Sequence, residues 1–150
     1  MVRRKLGERD LKQHLRIKKG TSSSSTAPVA ASSTIQFTAY EDIDANRAVS
    51  IRTDGEADVA NLSKPVTAIS TAFAPSAALV STQCSEVMTI ADAVFTIGAA
   101  VWLCAPDGIT GLNMTTTAPT VTAGQYSQRL GRALTADSML IEIGAAELAE

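Results

Sequence analysis

The sequence predicts an all-β protein: a small β-barrel or β-sandwich of short antiparallel strands behind an extended, partly helical N-terminal arm. Three observations lead there. From Ile35 onward, short runs of alternating apolar residues recur between Gly, Pro and Asp turn signals, with no strong helical periodicity among them. The apolar content rests on Ala, Val, Ile and Leu, with only three Phe, two Tyr and one Trp, and abundant Ser and Thr suit half-exposed strands. Asp-Gly stands twice between paired runs, where a hairpin needs residues tolerant of positive φ.

Taken in order, Ile35–Ala39 puts Ile35, Phe37 and Ala39 on one face, because successive strand side chains alternate. Ala48–Thr53 runs into Asp54-Gly55, and Ala57–Ala60 returns as the second arm of a hairpin. Val66–Thr71 and Val87–Ile90 are further strands. Ala100–Cys104 passes through Pro106, Asp107 and Gly108 into Ile109–Met114, and Gln128–Leu134 with Met139–Ile143 complete the set. An internal echo runs through this list. NRAVSIRTDGEADVANLSKP (46–65) aligns with GAAVWLCAPDGITGLNMTTTAP (98–119), and PVTAIS (65–70) with QRLGRALT (128–135). Two related β-units are favoured over the plainer possibility that any two hairpins look alike.

Charge divides the chain of 150 residues into unlike parts. Residues 1–20 form a basic arm with eight cations against Glu8 and Asp10, a local charge of +6 in a chain of −2, which leaves −8 for the rest. Residues 21–34 are a Ser/Thr/Ala-rich linker, and 35–150 the β-domain. Within 8–19, Leu11 and Leu15 share a helix face, with acids early and bases late as a helix dipole favours. So short a helix needs a partner surface to persist. No apolar h-region follows the charges, so this is not a secretory signal, and no apolar run reaches the roughly 18 residues of a membrane span. A soluble protein is expected, with no membrane partner.

Residues capable of chemistry are sparse. His14 is the only histidine and lies in the arm, which argues against Ser-His-Asp and Cys-His arrangements and a histidine-rich zinc site. No phosphate-cradling glycine loop is present. Glu41, Asp42 and Asp44, with Asp54, Glu56 and Asp58 on one hairpin face, read as a solvated acidic edge; the alternative, Ca²⁺, lacks the EF-hand spacing. Cys84 and Cys104 read as buried reduced thiols, with a disulfide as the alternative. Trp102, inside AVWLC, reads as core. The expectation is no enzyme, no catalytic residue, no cofactor and no metal.

Three readings of the arm stay open: a protein-docking segment, a nucleic-acid tail or an idle tail. Six net charges would release counterions from nucleic acid, yet the arm has no aromatic residue to stack on bases. Its interleaved Leu6, Leu11, Leu15 and Ile17 suit a groove on a protein better than a phosphate backbone.

FTAYEDIDANRAVSI (37–51) and TTTAPTVTAGQYSQRLGRALTADSMLIEIG (115–144) carry a resemblance, most tellingly at Gln128-Arg129-Leu130-Gly131 followed by Ala133-Leu134. Over about residues 35–144 the chain resembles the tailed-phage head decoration proteins, also called capsid cement or stabilising proteins. The resemblance implies a compact virion module, made in the host cytoplasm and commonly trimeric. It would sit on the outer surface of the phage head at symmetry axes and brace neighbouring major capsid proteins, without catalysis or cofactor. Residues 1–33 fall outside the matching core. The arm is then the expected capsid-binding element through Arg3, Arg4, Lys5, Leu6, Arg9, Leu11, Lys12, Leu15, Arg16, Ile17, Lys18 and Lys19. The alternative is a viral coat protein whose basic arm binds the packaged nucleic acid. A glycan-binding fibre module would want exposed aromatic platforms, of which the sequence offers few.

Overall fold

The computed structural model describes residues 34–150. These residues belong to one compact unit. The arm residues, the helix expected over 8–19 and all but the last residue of the linker lie outside the described residues. Twelve short strands and no helix make up the described part: β1 (Thr34–Thr38), β2 (Ala48–Ile51), β3 (Ala57–Val59), β4 (Ala68–Ser70), β5 (Leu79–Gln83), β6 (Val87–Thr89), β7 (Ala100–Leu103), β8 (Met114–Thr115), β9 (Tyr126–Ser127), β10 (Arg129–Ala133), β11 (Ser138–Ile141) and β12 (Glu147–Leu148). The protein is all-β, as its alternation and turn chemistry predict.

The strands form two five-stranded antiparallel sheets, ordered β1-β5-β4-β2-β3 and β6-β11-β10-β7-β8, and a β12-β9 pair. Leaving β9 and β12 aside, the two orders are one order used twice. The local bonds repeat too. Asn46 N donates to Ser70 O and Ser70 N to Arg47 O, both at 2.8 Å; Gly98 N donates to Ala133 O and Ala133 N to Ala99 O, both at 2.9 Å. Asn46 (φ 60°) and Gly98 (φ 81°) turn the chain left-handed at this same point, which Asn and Gly tolerate better than other residues. Arg52 N to Glu56 O in the first hairpin matches Cys104 N to Asn113 O in the second. The echo in the sequence is therefore a repeat of structure, a first half carrying β1–β5 and a second carrying β6–β11.

Neither sheet closes into a barrel. The first curls until Ala39 bridges Ala57, a single contact between its two edges. Two apolar clusters follow from this. One lies inside the first sheet's curl, with Ile43, Val49, Ala68, Ala74 and Val80. The other fills the second half with Ile90, Phe95, Val101, Leu103, Leu130, Met139 and Ile141, and it also takes in Ala48, Ala60, Val66 and Ile69 from the first half. Strands β2 and β4 therefore bury both faces: Val49 and Ala68 turn into one cluster, Ala48 and Ile69 into the other. A strand covered on both sides loses its apolar–polar alternation, which accounts for AVSI and AIS at the centre of the sheet.

The boundaries differ from expectation in physically readable places. Ile109–Met114 is not a strand. The Asp107 carboxylate accepts Ile109 N (3.1 Å) and the Thr110 hydroxyl (2.9 Å), so the chain turns there, and pairing with β7 begins only at Met114. β5, β9 and β12 were not expected. Trp102 is half-buried on the outer face of its sheet and not in the core.

Gly131 shows how little slack the second sheet has. A Cβ there would stand 2.0 Å from Leu140 O and 2.8 Å from the Met139 side chain. The register of β10 against β7 shifts between Arg129 and Gly131, the mark of a bulge that brings two backbones close. Gly131→Ala must push β10 and β11 apart. We expect urea unfolding to show a loss of about 2–3 kcal/mol or more, against less than about 0.5 kcal/mol for the exposed change Gln36→Ala.

Candidate functional site: the seam between the halves and its acidic depression

The seam is built by side chains that take the place of missing strand partners. Asn113, fully buried just before β8, accepts Ala48 N through Oδ1 (2.9 Å) and donates Nδ2 to Ala48 O (2.8 Å) and Ala60 O (2.9 Å). Gln128, 3% exposed, accepts Val66 N through Oε1 (2.6 Å) and donates Nε2 to Val66 O and Gly144 O, both at 3.0 Å. Each amide of the second half thus reads both the donor and the acceptor of one residue in the first, as a neighbouring strand would. A primary amide is the side chain that can do this, since it carries donor and acceptor side by side.

The return contacts run from the turn before β2. Asn46 Oδ1 accepts Ala91 N (3.0 Å), and the buried Arg47 guanidinium donates to Ala45 O (3.0 Å) and to Thr110 O. Thr110 is in position because Asp107 holds its loop. The N–H of Ile109 and the Thr110 hydroxyl keep the Asp107 carboxyl below the usual aspartate range.

Around this turn lies a depression of about 390 Å³, lined by Glu41, Asp42, Asp44, Arg47 and Lys64 from the first half and by Pro106 and Gly111 from the second. Its two cations are already engaged, Arg47 with the backbone and Lys64 with Asp58. The rest of its charged lining, Glu41, Asp42 and Asp44, is acidic and can receive cationic or hydrogen-donating groups of a partner.

The acidic hairpin departs from expectation. Asp54 is exposed and ion-paired with Arg52 (3.2 Å), whose guanidinium stacks 3.6 Å over the Tyr40 ring. Asp58, however, is only 2% exposed and not part of a solvated edge. Lys64 Nζ stands 2.5 Å from its Oδ2, Arg52 lies at 3.9 Å, and Oδ1 has no partner among the hydrogen bonds. The cause is the curl: β3 is drawn back under the 39–41 segment, where Tyr40 N donates to Ala57 O and Glu41 Oε1 accepts Val59 N. Among the described residues no group of three or more His, Cys, Asp or Glu is placed to hold a metal.

Both cysteines are free thiols. Cys84 is exposed, which corrects the expectation that both are buried; Cys104 is half-buried, and burial followed by the nearby Asp107 charge raises its pKa. Every residue of the expected capsid-binding arm, Arg3 to Lys19, lies outside the described residues. The residues that organise the seam, Arg47, Asn113 and Gln128, carried no functional assignment in the sequence. Gln128 stood in the run most telling for the resemblance, and an amide opening an apolar strand was the available signal. No family model matches the chain, and no curated protein matches it.

Removal of either amide tests the seam. We expect Asn113→Ala to leave Ala48 N and Ala60 O unpaired, while Ala48 O keeps its bond from Ala60 N (2.9 Å), and to lower unfolding free energy by about 2–3 kcal/mol or more in urea denaturation. Gln128→Leu should cost a comparable amount. A loss below about 1 kcal/mol in both would show that the seam does not depend on them.

Proposed function

We propose that the chain is a structural virion protein, a decoration protein that binds the outer surface of a phage head and braces neighbouring major capsid proteins. The observation that carries this reading is the charge division. An uncharged linker joins an arm of +6 with interleaved leucines to a β-domain of −8. The arm is the docking element and the acidic β-domain faces outward. Extended at about 3.3–3.6 Å per residue, a linker of this length reaches on the order of 45–50 Å, enough for the arm to engage a groove well away from the domain. The resemblance over residues 35–144 adds the self-association, most simply a trimer. Three arms on one particle then raise the effective concentration of each further contact. The tightly packed two-sheet domain suits a brace, since its rigidity comes from a buried polar seam rather than from an open cleft.

The test uses the full chain with Arg3, Arg4, Lys18 and Lys19 all changed to Glu, beside the wild type. The expected result is at least a tenfold loss of binding to undecorated, DNA-filled heads, on the order expected when several charge contacts are reversed, with the β-domain's circular dichroism unchanged. Undiminished binding would overturn the docking role of the arm. Tight, steeply salt-dependent binding of the wild type to duplex DNA, without binding to heads, would favour the internal coat-protein reading.

A further inference from the structure

Asp58 poses a problem that its partners do not solve. It is 2% exposed, one carboxylate oxygen is held by Lys64, and the other, buried, has no donor. A buried acceptor left unpaired loses its hydration without compensation and destabilises the fold. The group beside it is another carboxyl: Glu41 fixes one oxygen on Val59 N (3.0 Å), the residue next to Asp58, and this brings its carboxyl against that of Asp58. Two carboxyl groups in contact can bond only through a proton.

We propose that Glu41 and Asp58 share a single proton, carried on Glu41 and donated to the otherwise unpaired Oδ1 of Asp58, and that this bond is a pH-sensitive latch holding the 40–46 segment on β3. This regulation goes beyond the proposed function and does not rest on it. The groups facing the pair fit the assignment. Lys64, from the β3–β4 connection, and Arg52, just past β2, favour the charged form of Asp58; Arg52 is shared with Asp54 and Tyr40. Asp42, Asp44 and Arg47 line the same depression as Glu41. The contact with Asp58, then burial, raises the Glu41 pKa. Burial pushes Asp58 up as well, but the bonds from Glu41 and Lys64 outweigh it and leave its pKa lowered.

The latch opens when Glu41 gives its proton to solvent. Two carboxylates then face each other, Glu41 turns away and Oδ1 is orphaned. Because the folded Glu41 pKa lies above the unfolded one, the latch contributes fully at pH below the ordinary glutamate range. Its contribution falls as pH rises through that range to the folded value. Asp58 sets the opposite limit: its lowered pKa stabilises the fold above the ordinary aspartate range, a contribution lost as pH falls through the folded value. The segment that is released carries Asn46 and leads into Arg47, so the seam is loosened from its first-half side.

Carbon-detected NMR of the full chain, with Glu41 assigned through Glu41→Gln, tests this. The expected result is a Glu41 carboxyl that titrates above the ordinary glutamate range and moves the Val59 amide with the same midpoint. Urea unfolding is compared at about pH 4, below the ordinary glutamate range, and at about pH 8, and the latch's contribution to the wild type should fall with rising pH. Glu41→Gln should lose less, because its amide donates to Asp58 at either pH. A Glu41 midpoint in or below the ordinary range overturns the latch. So do parallel stability losses for the two proteins. The NMR measurement on the wild type needs no variant to fold except for assignment.

Discussion

Two buried amides, Asn113 and Gln128, are the contacts on which the rest of the architecture depends. The first sheet ends its pairing before all its backbone groups are satisfied: Ala48 N, Ala60 O and both polar groups of Val66 lie buried toward the second half. Buried backbone groups of this kind must be paired. The apolar contacts of Ala48, Ala60, Val66 and Ile69 draw the halves together but tolerate sliding, because burial has no direction. An amide that reads N–H and C=O of one residue at once does not tolerate it. The hydrophobic contacts supply most of the attraction, and the amides fix the register in which it is realised.

A chain made of two similar halves gains something from making them unequal. The turn before β2 uses Asn46 and Arg47 to reach into the second half, whereas the matching turn before β7 has Gly98 and Ala99 and reaches nothing comparable. Near the second turn Val94 and Ile97 stand exposed, in the place where the first half carries Asp42 and Ala45. One copy of the unit is thus specialised for contact within the chain. The other presents a more apolar end to whatever lies outside. The acidic cluster of the first half is likewise spent partly inward: Asp58 is buried with Lys64, and Glu41 is tied to β3.

Much of the fold was legible because strands and turns are local signals. The hairpin at Asp54-Gly55, the strands around Val49, Val101 and Leu130, and the relation between residues 46–65 and 98–119 follow from alternation and turn chemistry, and the structure bears them out. β5 escapes the sequence reading although LVSTQ alternates, because the turn before it, opened by Pro75, puts Ala77 at φ 68° where Gly or Asn would be the readable residue. β9 and β12 are two-residue pairs held by their context and have no periodicity to read. Ile109–Met114 looked apolar enough for a strand, but Asp107 competes for its backbone. Asp58 was read as solvated because alternation gives the face of a hairpin and not what covers that face. The candidate site was the least legible part: Asn113 and Gln128 act through partners some 60 residues away in the chain.

The central claim is that the two amides hold the halves as one cooperative unit, and native-state hydrogen exchange of the Ala48 and Val66 amides measures it directly. Both protons are donated to side-chain oxygens of the other half. If the seam is integral, they exchange only through global unfolding, with the same opening free energy as Leu103 N and Ala133 N inside the second half. Exchange of Ala48 and Val66 at the rate of the exposed turn amide of Gly55, while Leu103 and Ala133 remain protected, would contradict it.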